Sequence, residues 1–89
     1  MALGPVRSRT NIEKIIDISN RAVADYGFRQ AVLYGLADIV AKWSLTDEEA
    51  AVLSGPVLDE LSALPVPVQP ADIISEQSRL EEIIRGLSF

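Results

Sequence analysis

Apolar residues recur along this chain at intervals of three and four, the period of a helix face rather than the alternation of a half-buried strand. The first run places Ile12, Ile15, Ile16, Val23 and Tyr26 on one stripe. Thr10-Asn11-Ile12-Glu13 precedes it as a capping box, in which the Thr hydroxyl and the Glu carboxylate satisfy amides left free at a helix start, and Gly27 supplies a left-handed stop. A second helix is predicted over 28–43. Its apolar residues (Phe28, Val32, Leu33, Leu36, Ile39, Val40, Trp43) spread too widely for one face, so it belongs in the middle of a bundle or in an interface. A second capping box, Thr46-Asp47-Glu48-Glu49, opens a short third helix that ends at Ser54-Gly55. Pro56 then suits the first turn of a fourth helix, with Val57, Leu58, Leu61 and Leu64 as its inner face.

Pro65-Val66-Pro67-Val68-Gln69-Pro70 follows, and three prolines in six residues favour an extended, polyproline-like spacer. A fifth helix, over 70–85 and ended by Gly86, is amphipathic. Ile73, Leu80 and Leu87 are seven apart, Ile74, Ile83 and Ile84 widen the stripe, and Glu81 stands four residues before Arg85. The expected fold is all-α, a compact four- to five-helix bundle whose first part, a helical bundle over 1–64, has the other helices enclosing the second. The spacer at 65–70 leads to a C-terminal amphipathic helix over 71–89 that packs on the bundle or on a partner. Leaving the stripe of that helix in water forfeits about 1.5–3 kcal/mol per large side chain, so something covers it.

Composition narrows the chemistry. The chain has no His and no Cys, which removes the usual general base at neutral pH, the thiol nucleophile, and the imidazole and thiolate ligands of zinc or iron. It also lacks a disulfide framework. Carboxylates are plentiful as adjacent pairs, Asp47-Glu48-Glu49, Asp59-Glu60 and Glu81-Glu82. Neighbours on a helix point about 100° apart and do not converge on one bond. Neither a calcium loop nor a Gly-rich phosphate loop is present. No catalytic, metal or cofactor-binding residue is therefore assigned, and no cofactor is expected.

Hydrophobic residues make up 48% of the chain, which marks it as globular, yet a domain this small buries only about 60–65% of its unfolded surface. Some apolar surface is thus left for a partner. Charge divides unevenly: residues 1–42 carry six basic and four acidic side chains, a net +2, whereas residues 43–89 carry two against nine, a net −7. Such a chain suits head-to-tail pairing with itself, or presents its acidic half, including Asp59 and Glu60, to a basic surface on another protein. The third and fourth helices resemble a helix-turn-helix in outline. The second of them offers Asp59, Glu60 and Ser62 where a reading helix needs basic or amide side chains, which disfavours nucleic acid. The most apolar stretch, 28–43, includes Arg29, Asp38 and Lys42 and falls short of the roughly 20 residues of a membrane span. Residues 1–7 lack the apolar run of a signal peptide, so the cytoplasm is the expected location. Tyr26 and Trp43 each end a predicted helix, and they either close one end of the core or, exposed together, form a contact anchor.

The stretch from Asp25 to Leu64 resembles the small helical domain of the α-subunit of LigAB-type extradiol ring-cleavage dioxygenases. Related domains serve as recognition segments in precursors of ribosomally made, modified peptides. The matching residues are Asp25 and Arg29, Leu36-Ala37-Asp38, Val40, Lys42 and Trp43, then Leu45-Thr46-Asp47-Glu48-Glu49, Leu53, Leu61 and Leu64. Ser44 stands where that family usually has Gly, and the Pro common near Ala37-Asp38 is missing. The resemblance implies a binding role, either packing on a catalytic subunit or serving as the handle that a modifying enzyme grips.

The expected function is a non-enzymatic helical protein-binding module, an accessory subunit or recognition domain for a larger enzyme. Ile73, Ile74, Leu80, Ile83, Ile84, Trp43, Tyr26, Asp59 and Glu60 are its candidate contact residues. One alternative is a modified-peptide precursor whose modified part is 65–89. The other is a homo-oligomeric (possible homodimer) structural or regulatory protein of antitoxin-like or DNA-binding type.

Overall fold

The computed structural model describes residues 12–66 and 68–87, and every regular element among them is helical. In chain order these are α1 (Ile12–Ala24), α2 (Tyr26–Tyr34), α3 (Leu36–Lys42) and α4 (Asp47–Val52). A π-helical turn (Leu53–Val57), α5 (Leu58–Ser62), a 3-10 turn (Pro70–Asp72) and α6 (Ile73–Gly86) complete the chain. The all-α bundle expected from the spacing is what forms, but its centre is different. α1 rather than the second predicted helix is enclosed: it buries Ile15, Ile16, Ile18, Ser19, Ala22 and Val23 and packs against α6, α2, α4 and α5. The capping box expected before it rests on Thr10 and Asn11, which lie outside the described residues.

The boundary between the first two helices falls at Asp25, not Gly27. Asp25 takes an extended conformation (φ −127°, ψ 106°), and its carboxylate accepts the Phe28 amide at 3.1 Å, capping α2. A strong N-cap two residues earlier outcompetes the glycine, and Gly27 becomes part of the first turn of α2. Tyr26 consequently leaves the α1 stripe and opens the next helix.

Gly35 divides the predicted second helix into α2 and α3. Its amide donates to the Ala31 carbonyl at 2.8 Å, and a side chain on Gly35 would put a Cβ 3.1 Å from that same oxygen. The bend resolves the breadth of the apolar pattern: α2 buries Val32 and Arg29, and α3, turned to a new direction, buries Ile39. α3 ends in a Schellman motif. The Leu45 amide donates to the Val40 carbonyl at 3.0 Å and the Ser44 amide to the Ala41 carbonyl at 3.3 Å. That geometry places Ser44 at φ 53°, a left-handed position that favours glycine.

The capping box at Thr46 forms as expected. The Glu49 amide donates to Thr46 Oγ1 at 3.1 Å, and Glu49 Oε1 accepts the Thr46 amide at 2.8 Å. The helix it starts does not stop at Ser54-Gly55 but runs on through the π turn into α5. Pro56 has no amide hydrogen and its ring crowds the preceding turn, and one widened turn accommodates it without breaking the rod. Leu53 and Val57, both buried, keep the two halves on the same core. The helix-turn-helix outline disappears with the turn.

Beyond α5 the chain leaves helical geometry for the proline-rich segment, with Gln69 extended (φ −65°, ψ 142°). It is more than a spacer, because Val68 joins the core. α6 then returns along α1, and Leu80 and Ile84 become completely buried there. Gln77 Nε2 donates across the seam to the Asn20 carbonyl at 2.9 Å. The chain's own bundle therefore covers the inner stripe of α6.

Arg29 fixes where this return begins. Its side chain is buried, and it donates from Nη1 to the Leu61 carbonyl at 3.2 Å and from Nη2 to the Pro65 carbonyl at 2.7 Å. The guanidinium also lies 5.0 Å from the Tyr26 ring centroid. It thereby ties α2 to the last turn of α5 and to the first residue of the proline-rich segment.

Two stability measurements by urea denaturation follow. Arg29→Ala should cost about 2–4 kcal/mol, because it leaves two carbonyls without their charged donor. Ser44→Gly should stabilise by roughly 0.5–1 kcal/mol, since relief of the left-handed strain exceeds the added entropy cost of glycine.

Candidate partner-binding surface

The candidate contact residues divide by burial. Leu80 and Ile84 are fully buried against the chain's own core and are unavailable to a partner, which corrects their assignment as contact residues. Their spacing marked a real stripe, but α1 covers it. Ile73 and Ile83 are half-buried at the edges of the same seam, packed against the core. Ile74, one residue round the helix, faces out at 76% exposure. Trp43 is half-buried and Tyr26 is 40% exposed, so the two do not close one end of the core together. Asp59 is exposed, whereas Glu60 is half-buried and bound to Arg79 at 2.7 Å.

Two exposed apolar residues were not singled out by the sequence pattern. Tyr34 is 84% exposed at the end of α2, and Val66 is 66% exposed in the proline-rich segment. Tyr34 had a readable signal: Tyr26, Gln30 and Tyr34 are four apart and share the outer face of α2, where Gln30 Nε2 donates to the Tyr26 hydroxyl. Val66 had none, because a proline-rich run has no helical period to mark an inner and an outer face.

The arginines of α6 are paired within the molecule. Arg79 reaches Glu60 at 2.7 Å and Glu76 at 2.8 Å; Arg85 reaches Glu81 at 3.0 Å and Glu13 at 3.1 Å. These pairs link α6 to α5 and to α1. Hydrogen bonds to Glu60 and then Glu76 raise the pKa of Arg79, and hydrogen bonds to Glu81 and then Glu13 raise that of Arg85. A raised arginine pKa contributes stability that is present below the ordinary arginine value and lost only as pH rises through the folded value, far above neutrality. An open depression on the outer face of α6 is lined by Ser75, Ser78, Arg79, Glu81, Glu82 and Arg85, and both arginines there are already engaged.

Glu49 closes its capping box, Glu60 turns to Arg79, and Asp59 points to solvent. Among the described residues no group of three or more carboxylates is placed to hold a metal ion, and no helix is long and apolar enough to cross a membrane. Comparison with family models, with curated proteins and with solved structures finds no match in any of the three. The arrangement leaves apolar side chains exposed on a folded frame.

The division between core and surface can be measured directly. Leu80→Ala should cost about 2–5 kcal/mol in urea denaturation, whereas Tyr34→Ser and Ile74→Ser should each change stability by less than about 0.5 kcal/mol. Equal losses at all three positions would refute the assignment.

Proposed function

We propose that this chain is a non-enzymatic helical protein-binding module, an accessory subunit or recognition domain for a larger enzyme. The observation that carries this reading is that Tyr34, Ile74 and Val66 stand mostly in water while the inner stripes of α1 and α6 are buried. Large apolar side chains on a packed frame favour association, and a tyrosine on a rigid helix adds contact area at little entropic cost. The absence of His and Cys from the sequence supports the same reading, since it leaves little for acid–base or nucleophilic work. A cytoplasmic location belongs to this proposal, as does the resemblance to the dioxygenase α-subunit domain.

The modified-peptide alternative has less support. A segment offered to a modifying enzyme must leave its frame, and α6 holds Leu80 and Ile84 completely buried against α1.

Purification from the native host with the tagged chain should recover one larger protein in near-equal amount. Tyr34→Asp and Ile74→Asp together should abolish its capture without unfolding the bait. Recovery of the chain alone, or capture indifferent to both substitutions, would overturn the reading. Light scattering over a range of concentrations should show a monomer in the absence of that partner, and a concentration-dependent dimer would favour the homo-oligomeric alternative.

A further inference from the structure

The four arginines among the described residues are in different states. Arg29 is buried on two carbonyls, and Arg79 and Arg85 each hold two carboxylates. Arg21, exposed near the end of α1, has no hydrogen bond or ion pair from its guanidinium among the described residues. It lies instead over two aromatic rings, 5.5 Å from the Phe28 centroid and 5.6 Å from that of Trp43. The carboxylates one helical turn to either side, Asp17 and Asp25, do not pair with it, and Asp25 is committed to the Phe28 amide.

A guanidinium over a ring keeps its in-plane N–H groups free, because the cation–π attraction acts through its face and its hydrogen bonds act through its edge. The rings also restrict the long side chain, so less rotamer freedom remains to be lost when an acceptor arrives. Lys14 adds charge nearby, with its ammonium donating to the Ser44 carbonyl at 3.3 Å beside Trp43, and Lys42 adjoins Trp43 in the chain. Asp17 and Asp25 limit the net positive charge, which suits a singly charged carboxylate better than a phosphate dianion.

We propose that Arg21, set against Phe28 and Trp43, is a docking point for a carboxylate on an acidic segment of a partner protein, with apolar neighbours of that carboxylate resting on the ring edges. This rests on the partner-binding reading above and names the chemistry of one contact. The occupant follows from charge complementarity at this one point: a guanidinium held on two rings and flanked by Asp17 and Asp25 takes a single carboxylate, and an acidic segment of a partner supplies one with few other charges, whereas a second copy brings its whole net charge of −5 and has to meet this point with its acidic half in a head-to-tail orientation.

The test is a titration of the whole isotopically labelled chain with the peptide acetyl-Leu-Glu-Glu-Leu-amide, followed by NMR at the indole N–H of Trp43, the single tryptophan, and at Arg21 Nε–H. Saturable shifts at both are expected, with a Kd on the order of 1 mM, as suits one charge-assisted contact. Arg21→Gln should weaken binding about three- to fivefold. Arg21→Lys should recover only part of it, since the ammonium lacks the planar fork. Arg85→Gln, which removes a paired arginine elsewhere, should leave it unchanged. The Gln-Gln counterpart of the peptide should not bind. Equal shifts with that neutral peptide, no shifts with the acidic one, or unchanged affinity in Arg21→Gln would each overturn the proposal. Tighter binding of a phosphoserine peptide would overturn the carboxylate assignment, and titration-induced dimerisation would overturn the choice of a foreign partner. Peptide binding at Arg21 without capture of a larger protein from the host would fail the accessory-subunit reading alone; capture without peptide binding would fail this contact alone.

Discussion

The position of the last helix depends on a single buried cation. Arg29 reaches from α2 to the carbonyls of Leu61 and Pro65, the two points where the chain stops being helix and begins its extended run. Hydrogen bonds from a charged donor are worth about 1.5–3 kcal/mol each, while removing the guanidinium from water costs several. Its Nε atom has no partner among the described residues, which adds to the cost. The net energy is therefore modest, and the main effect of Arg29 is on geometry. With the end of α5 fixed against α2, the proline-rich segment leaves in one direction. Val68 drops into the core, and α6 comes back along α1 with Leu80 and Ile84 facing inward.

Much of this was legible in the residues and some of it was not, for identifiable physical reasons. The Thr46–Glu49 box and the Ile73, Leu80, Ile84 stripe rely on local chemistry and helical period, so they survive in the fold. At the end of α1 two local signals compete, and an aspartate able to accept the Phe28 amide prevails over the glycine two residues on. The bend at Gly35 depends on how closely a backbone can approach Ala31, which no spacing reveals. The π turn depends on Leu53 and Val57 both finding the core on either side of Pro56, a tertiary demand that overrides the usual reading of Gly-Pro as a stop.

The same distinction explains why the exposed apolar residues were only half visible. A stripe of isoleucines and leucines on an amphipathic helix shows that the face will be covered but not by what. Here the chain covers its inner members itself. What remains outside lies off that stripe, on Ile74, on the proline-rich segment and on the outer face of α2, where Tyr34 was hidden by the assumption of one long, enclosed helix. Once Gly35 is recognised as a break, α2 becomes a surface helix with an inner and an outer side, and the Tyr26, Gln30, Tyr34 spacing belongs to the outer one.

Charge follows a similar rule. On the α6 side each arginine is placed within reach of acids on its own helix and on a neighbouring one, so that side presents carboxylates to solvent with its cations neutralised. Near the end of α1, the rings of Phe28 and Trp43 compete with Asp17 and Asp25 for Arg21, and the rings hold it. The uneven charge of the sequence therefore becomes two chemically different surfaces. One is acidic and internally balanced; the other keeps a cation whose hydrogen-bonding edge is free. A partner that met both would need basic groups facing α5 and an acidic group facing the end of α1, and exposed surface pairs are worth only about 0–1 kcal/mol each. Most of the affinity would then have to come from exposed apolar side chains, with the charges setting orientation.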